Sequence, residues 1–304
     1  MIVVENLTKV YGRGQPAAVD SVSFEVKNGE IVGFVGLNGA GKTTTIRTSA
    51  GVILPTSGRI LVDGHDIVQD KVAACSALGW VPEFPNFEMN AKALSLIKYL
   101  GGYYGIGGRE GDQKARQLLE LVGLKGFEKR KLRDYSQGMK KRFALAVCMY
   151  SDPANYLFDE ILNGLDPEGV SYFRGLMVEM RRQKKAVLLS SHILTEVESI
   201  SDRVVVIHKS KIIKELTKEE LGHLGEESYR ITVENLDSKA LDYLKGVGEP
   251  SVDGKTVHLT KPSAPSAQIN SELVRMGYSV SELARVNVQL EEYFFKLIGG
   301  ANEK

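Results

Sequence analysis

Apolar and polar side chains alternate over residues 2–4 and 21–26, the period-two pattern of half-buried strands. A turn-rich loop, Tyr11-Gly-Arg-Gly-Gln-Pro16, lies between them. Residues 30–35 form an apolar run that ends in a glycine-rich loop, and a helix is predicted from about Lys42. Residues 59–62 and 79–81 read as further short strands. From about Phe87 to Phe127 the spacing turns helical, with Leu94, Ile97, Tyr99 and Leu100, then Leu118, Leu119 and Val122, on apolar faces. Helical pattern continues over 137–150. The runs 156–158, 186–189 and 203–207 are short and strongly apolar, with helix-type sequence between the first two and after the second. That alternation predicts parallel strands of an α/β sheet.

A composition break falls near residues 222–227. Beyond it, 229–233, 256–259 and 278–283 read as strands and 236–244, 267–276 and 289–298 as helices. The expected division is a large α/β domain over 1–222, with a helical part at about 84–150, and a small α+β domain over 228–304. Phe294, Phe295 and Leu297 are expected in the core of the latter. At 304 residues, one large and one small domain suit the length.

The formal net charge of +1 gives no sign of a basic nucleic-acid binder or an acidic tail. Cys75 and Cys148 are too few and too far apart for a disulfide framework or zinc site, and both are expected as buried thiols of a cytosolic protein. The N-terminus lacks the pattern of a signal peptide, and no apolar run approaches the ~20 residues of a membrane-spanning helix. No direct membrane insertion is expected, so a membrane role would go through a partner.

The segment Gly36-Leu-Asn38-Gly39-Ala40-Gly41-Lys42-Thr43 fits the pattern G-x-x-x-x-G-K-[ST], followed by Thr44. Its glycines let consecutive backbone N–H groups turn toward phosphate oxygens, and the helix that follows offers its positive end. Lys42 is placed for the β- and γ-phosphates and Thr43 for Mg²⁺. By composition such a match arises by chance in roughly one chain in a hundred of this length, and the strand before it and helix after it argue further against chance. Downstream, Asp159 and Glu160 close an apolar strand. Carboxylates there suit a hard divalent cation and a general base that polarises water. An Asp-Glu pair at a strand end is also a common solvated feature, and the upstream loop favours the chemical reading.

The sequence between and after these sites resembles the ABC ATPases. Tyr135-Ser136-Gln137-Gly138-Met139-Lys140-Lys141-Arg142 resembles the family signature, usually written L-S-G-G-Q. Asn163-Gly164-Leu165-Asp166-Pro167 resembles its D-loop, Ser190-Ser191-His192 its switch-histidine loop, and Tyr11 stands where an aromatic stacks on adenine. The likeness covers about residues 1–215. It implies a P-loop NTPase fold: a RecA-like core, an antiparallel β subdomain and a helical subdomain. It also implies ATP with Mg²⁺ held by Thr43, Glu83 and Asp159, and catalysis by Glu160, His192 and Lys42. In such a protein ATP lies between two head-to-tail subunits, with Ser136 and Gly138 capping the γ-phosphate in trans. Asp166 before Pro167 equally suits a helix N-cap.

Several positions depart from the family pattern. Glu83 follows Val81-Pro82 where Gln is usual. Gln137 and Met139 replace Gly and Gln, Ile161-Leu162 replaces Pro-Thr, and Asn155-Tyr156 replaces aliphatic residues. The Val-Pro-Glu setting and the tail segment Val288-Gln-Leu-Glu-Glu-Tyr-Phe-Phe-Lys-Leu-Ile-Gly299 are similar to ATPases paired with ABC-2-type permeases, a branch that includes drug exporters. The resemblance therefore implies a homodimer, or a pair with a close homologue, on the cytoplasmic face of the membrane through a permease. Residues 84–108, with Tyr99, Tyr103 and Tyr104, would meet that partner or pack internally. A soluble ABC factor acting on ribosomes or DNA is disfavoured by the single P-loop, the lack of long heptads and the near-neutral charge. A non-hydrolysing regulatory module is disfavoured by Lys42, Asp159, Glu160 and His192.

Overall fold

The computed structural model describes residues 1–222, 228–286 and 290–302, which fall into two compact units, Met1–Thr217 and Lys218–Lys304. In the first unit, β1 (Ile2–Lys9), β2 (Val19–Val26), β4 (Ser57–Val62) and β5 (His65–Asp66) form an antiparallel sheet in the order β2-β1-β4-β5. A second sheet holds β3 (Ile31–Val35), β6 (Leu78–Val81), β7 (Asn155–Asp159), β8 (Ala186–Ser191), β9 (Arg203–His208) and β10 (Lys211–Thr217). Its order is β10-β9-β3-β8-β7-β6, with β10 antiparallel and the others parallel. Every residue of β3, β7 and β8 is buried, as parallel strands covered on both faces require.

One core joins the two sheets. Ile2, Val4 and Phe24 from the antiparallel sheet pack with Phe34, Leu188 and Val205 from the parallel one and with Ile46 of α1 (Lys42–Ser49). The helical part contributes α3 (Ala93–Gly102), α4 (Gly108–Leu121) and α5 (Gln137–Cys148). Ile97, Leu118, Leu119 and Phe143 turn inward. The helices α2 (Lys71–Ser76), α6 (Pro167–Arg182) and α7 (Leu194–Ile200) complete the unit.

The second unit contains α8 (Lys218–Gly222), β11 (Ser228–Val233), α9 (Ser238–Val247), β12 (Glu249–Asp253), β13 (Thr256–Thr260), α10 (Ser266–Arg275), β14 (Val280–Val286) and α11 (Leu290–Asn302). The antiparallel order β12-β13-β11-β14, with α9 and α10 as crossovers, is the split βαβ arrangement. Ile231, Val257 and Leu259 of the sheet pack on Leu244 of α9 and Ile269 and Leu273 of α10.

Several expectations are corrected. Cys148 is buried but Cys75 is only partly so. Phe294 is buried whereas Phe295 is 55% exposed, because the two neighbours point to different sides of α11. Tyr99, Tyr103 and Tyr104 are all exposed, so internal packing does not account for them. The strand predicted to start at 278 begins at Val280; Tyr278 instead packs on the core and donates its hydroxyl to Asp237 at 2.6 Å. The edge strands β10 and β12 were not predicted. The first exposes Lys211, Lys214 and Glu215 and the second contains Pro250, and both are features that keep an edge from pairing further. The expected boundary at 222–227 lies mostly outside the described residues, as does Gln289 at the start of the last predicted helix. No helix among the described residues is long and apolar enough to cross a membrane.

Candidate functional site

The ends of three neighbouring strands build the site. Parallel strands β3, β8 and β7 lie side by side, and in register Val35 stands opposite Ser191 and Asp159 opposite Ser190. The loop after β3, the Asp159–Glu160 pair after β7 and Ser190–His192 after β8 therefore emerge together at the carboxyl edge of the sheet. That edge is where open α/β sheets bind ligands.

The loop from Gly36 to Gly41 is shaped by glycine. A Cβ at Gly36 would lie 2.4 Å from the Ile207 carbonyl oxygen. Gly41 has φ +113° and would meet the Ala18 carbonyl oxygen at 2.6 Å. The chain then enters α1 with Lys42 at its first turn. A cavity of about 240 Å³ opens here, lined by Asn38, Gly39, Gly41, Lys42, Thr43, Thr44, Ala18, Glu83, Glu160, Asn163 and His192. Ala40 is buried and its N–H donates within the loop to Leu37 at 3.1 Å. Tyr11 lies to the side of the cavity, its ring exposed, its hydroxyl 3.3 Å from Thr44 Oγ1 and the Lys9 ammonium 5.3 Å from its ring centroid.

Within the cavity, Lys42 Nζ donates to the Gly36 carbonyl at 2.7 Å and lies 3.3 Å from Glu160 Oε1. Glu160 Oε2 accepts from Asn163 Nδ2 at 2.9 Å and lies 2.9 Å from His192 Nδ1. Burial opposes ionisation of Glu160, but the Lys42 ammonium and the hydrogen bonds from His192 and Asn163 win and hold its carboxyl below the usual range. The adjacent carboxyl goes the other way. Burial pushes Asp159 up, against hydrogen bonds from Ser190 at 2.8 Å and Thr43 at 3.2 Å, both to Oδ1.

Asp159 Oδ2 is buried without a hydrogen-bond partner. An unsatisfied buried carboxylate oxygen on a residue hydrogen-bonded to Thr43, which with Glu83 lines the cavity, gives a set of hard oxygen donors suited to Mg²⁺. These residues fit the ion.

Ser136, Gly138 and Asp166 do not join this cavity. With Gln137, Met139, Arg142, Gly164 and Leu165 they line a separate concavity on the same chain. Ser136 caps α5, its hydroxyl accepting from the Met139 N–H at 3.2 Å. Asp166 caps α6, accepting from the Gly169 N–H at 2.9 Å, with Pro167 at the first helical position.

Three contributors were not singled out from sequence as site residues. Asn163 stands three residues after Glu160 and holds its carboxylate. Ser190 receives the Glu160 N–H and binds Asp159. Lys141 reaches the backbone around Glu160. Each lies inside a recognised motif, but only the strand register and the seating of α5 reveal what it touches. The unusual Asn155 is explained as well: its amide donates to Asp63 at 2.8 Å and to the Ala77 carbonyl at 3.1 Å.

Fold and site together define a nucleotide-binding P-loop ATPase, and the chain belongs to the ATP-binding subunits of ABC transporters. The ABC transporter family model matches residues 19–163. Among curated proteins, the bacitracin transport ATP-binding protein BcrA of Bacillus licheniformis is 32% identical over 305 residues, covering 99% of this chain and 98% of that one. BcrA of Enterococcus faecalis is 31% identical over 303 residues, covering 99% and 97%. Among solved structures, an ATP-binding subunit of an ABC transporter aligns over 73% of this chain and 91% of its own, with TM-score 0.67 and 27% identity. A dimeric ATP-binding cassette in a post-hydrolysis state with ADP and Pi shares the fold at TM-score 0.67 and 22% identity, over 72% of this chain and 99% of its own.

Proposed function

We propose that two copies of this chain, or one copy and a close homologue, close around ATP and drive an ABC-2-type permease that exports drug-like cargo. The observation that carries the reading is Glu160: a buried carboxyl group lining the cavity, 3.3 Å from Lys42 and 2.9 Å from His192. In this reading Lys42 and the loop amides receive the β- and γ-phosphates. Glu160 takes the proton of the attacking water, and His192 steadies the γ-phosphate side. Thr43, Asp159 and Glu83 would hold Mg²⁺, which when bound offsets the charge of the triphosphate. Tyr11 offers its exposed ring to the adenine.

Ser136 and Gly138, which line a concavity separate from their own chain's phosphate cavity, would cap ATP held by the partner, and Asp166 would sit at the same face. The space around Gly138 supports this. A Cβ there would have its nearest neighbour at 3.6 Å, so the chain's own packing does not demand glycine. The full-length likeness to the BcrA proteins supports the exporter branch. Exposed Tyr99, Tyr103 and Tyr104 on and after α3 are offered to the permease, which would hold the subunit at the cytoplasmic membrane face. In this scheme the first unit, which ends at Thr217 rather than at the expected residue 222, is the ATPase domain, and residues 228–304 form an accessory packing or dimer-stabilising module.

The test is Glu160→Gln. ATP binding is expected to persist, turnover to be nearly abolished and the dimer to accumulate, measured by calorimetry, phosphate release and light scattering. Wild-type turnover in this variant overturns the assignment. Copurification with a multi-span membrane protein tests the partner.

A further inference from the structure

The ammonium of Lys141 is nearly sealed from solvent, with 6% of the residue exposed, and every acceptor it contacts is backbone. It donates to the carbonyls of Glu160 at 3.1 Å, Ile161 at 2.9 Å and Asn163 at 2.6 Å. An ammonium has three N–H donors, so its whole capacity is spent on one short loop. Taking that charge out of water is costly. Burial lowers its pKa, with Glu83 and Glu160 pulling the other way. An apolar side chain would fill the space at less cost; what the lysine adds is a fixed position for those carbonyls.

Glu160 needs such fixing. Its φ is +50°, a left-handed conformation that strains a side-chain-bearing residue and persists only where the surroundings over-determine it. On one side its N–H donates to the Ser190 carbonyl at 3.2 Å and to Ser190 Oγ at 3.1 Å. On the other side its carbonyl is held by Lys141. Asn163, which gives Lys141 its shortest contact, is also the residue whose amide grips the Glu160 carboxylate.

We propose that Lys141 is a positioning residue for ATP hydrolysis, clamping the 160–163 backbone so that the Glu160 carboxylate faces the cavity. This rests on Glu160 being the general base. Lys141 lies little more than a turn into α5 from Ser136–Gly138, so the turn that would cap the partner's ATP and the loop that aims the base share one support.

The test compares full-length wild type with Lys141→Met, Lys141→Gln, Glu160→Gln and the Lys141→Met/Glu160→Gln double variant. Steady-state hydrolysis, single-turnover hydrolysis with enzyme in excess, and calorimetric ATP affinity are measured. Lys141→Met is expected to lower kcat by about tenfold or more, short of the ~10²–10⁴-fold that a general base itself supplies. Its ATP affinity is expected to stay within about twofold of wild type, the range of uncoupled sites. Lys141→Gln, which keeps amide N–H donors, is expected to recover part of kcat. The double variant is expected to be no slower than Glu160→Gln alone. Wild-type kcat in folded Lys141→Met, affinity falling in step with kcat, or additive losses in the double variant would each overturn the inference. If Lys141→Met does not fold, Lys141→Gln is judged by the same criteria. Wild-type turnover in Glu160→Gln instead brings down the general-base reading itself, which separates the two failures.

Discussion

Lys42 and Glu160 lie 3.3 Å apart with side chains only 5% and 6% exposed, so the phosphate-loop lysine neutralises the carboxylate proposed as base. A triphosphate entering the cavity competes for the same ammonium. Lys42→Ala removes both interactions. Hydrogen bonds to charged groups are worth about 1.5–3 kcal/mol, so ATP affinity should fall roughly 10–150-fold by calorimetry. Unchanged affinity would remove Lys42 from the phosphate site.

Gly138→Asp separates a role within the chain from a role across a dimer. The side chain has room within its own chain, and a carboxylate in the first turn of α5 favours the helix by about 0.3–1 kcal/mol. Melting temperature should hold or rise slightly, and ATP binding to the monomer should persist. Turnover should drop by about a hundredfold or more, because juxtaposed like charges cost several kcal/mol. A variant that melts early and binds ATP poorly would point to a local structural role instead.

Gly33→Ala tests the seating of α7, which starts just after His192. A Cβ at Gly33 would lie 2.1 Å from Val197 Cγ1 and 2.8 Å from Ser201 Oγ. Overpacking of this kind costs about 1–3 kcal/mol, readable in urea unfolding. Turnover should fall with it as the histidine loop shifts. Unaltered stability would mean that α7 yields freely.

Tyr135 gives the helical part an alkaline limit. Burial pushes its hydroxyl up to about 12, with Glu128 adding to the rise and Arg130 opposing it, and the hydroxyl donates to the Phe127 carbonyl at 2.9 Å. The folded state therefore prefers the protonated form. The contribution is complete below the unfolded value near 10 and is lost as pH rises through about 12. Denaturant midpoints measured across that window should fall for wild type. Tyr135→Phe should start lower, lacking the hydrogen bond, and decline less. Parallel curves would show that another group sets the limit.

The parallel strands were legible in sequence because each is a short apolar run bounded by turns, and the phosphate loop because its residue types sit at fixed local spacing. The edges were not. Lys211–Thr217 carries its charges outward at the rim of the sheet, and Glu249–Asp253 contains a proline, so neither shows the alternation of a half-buried strand. Lys141 escaped for a different reason. A lysine in a basic helical stretch looks solvated, and only the packing of α5 beneath the Glu160 loop turns it inward. Asn155 looked like a flaw in a core strand until Asp63, 92 residues away, supplied its partner.

The chemical groups stand at the tips of β3, β8 and β7, adjacent in one sheet. Their mutual spacing is therefore set by the pitch of hydrogen-bonded strands, about 4.8 Å, and not by the sequence of any surface segment. Under the proposed function, in which residues 84–108 meet the permease, that segment is free to diverge toward a new membrane companion while the spacing of the phosphate-handling groups stays set by the sheet.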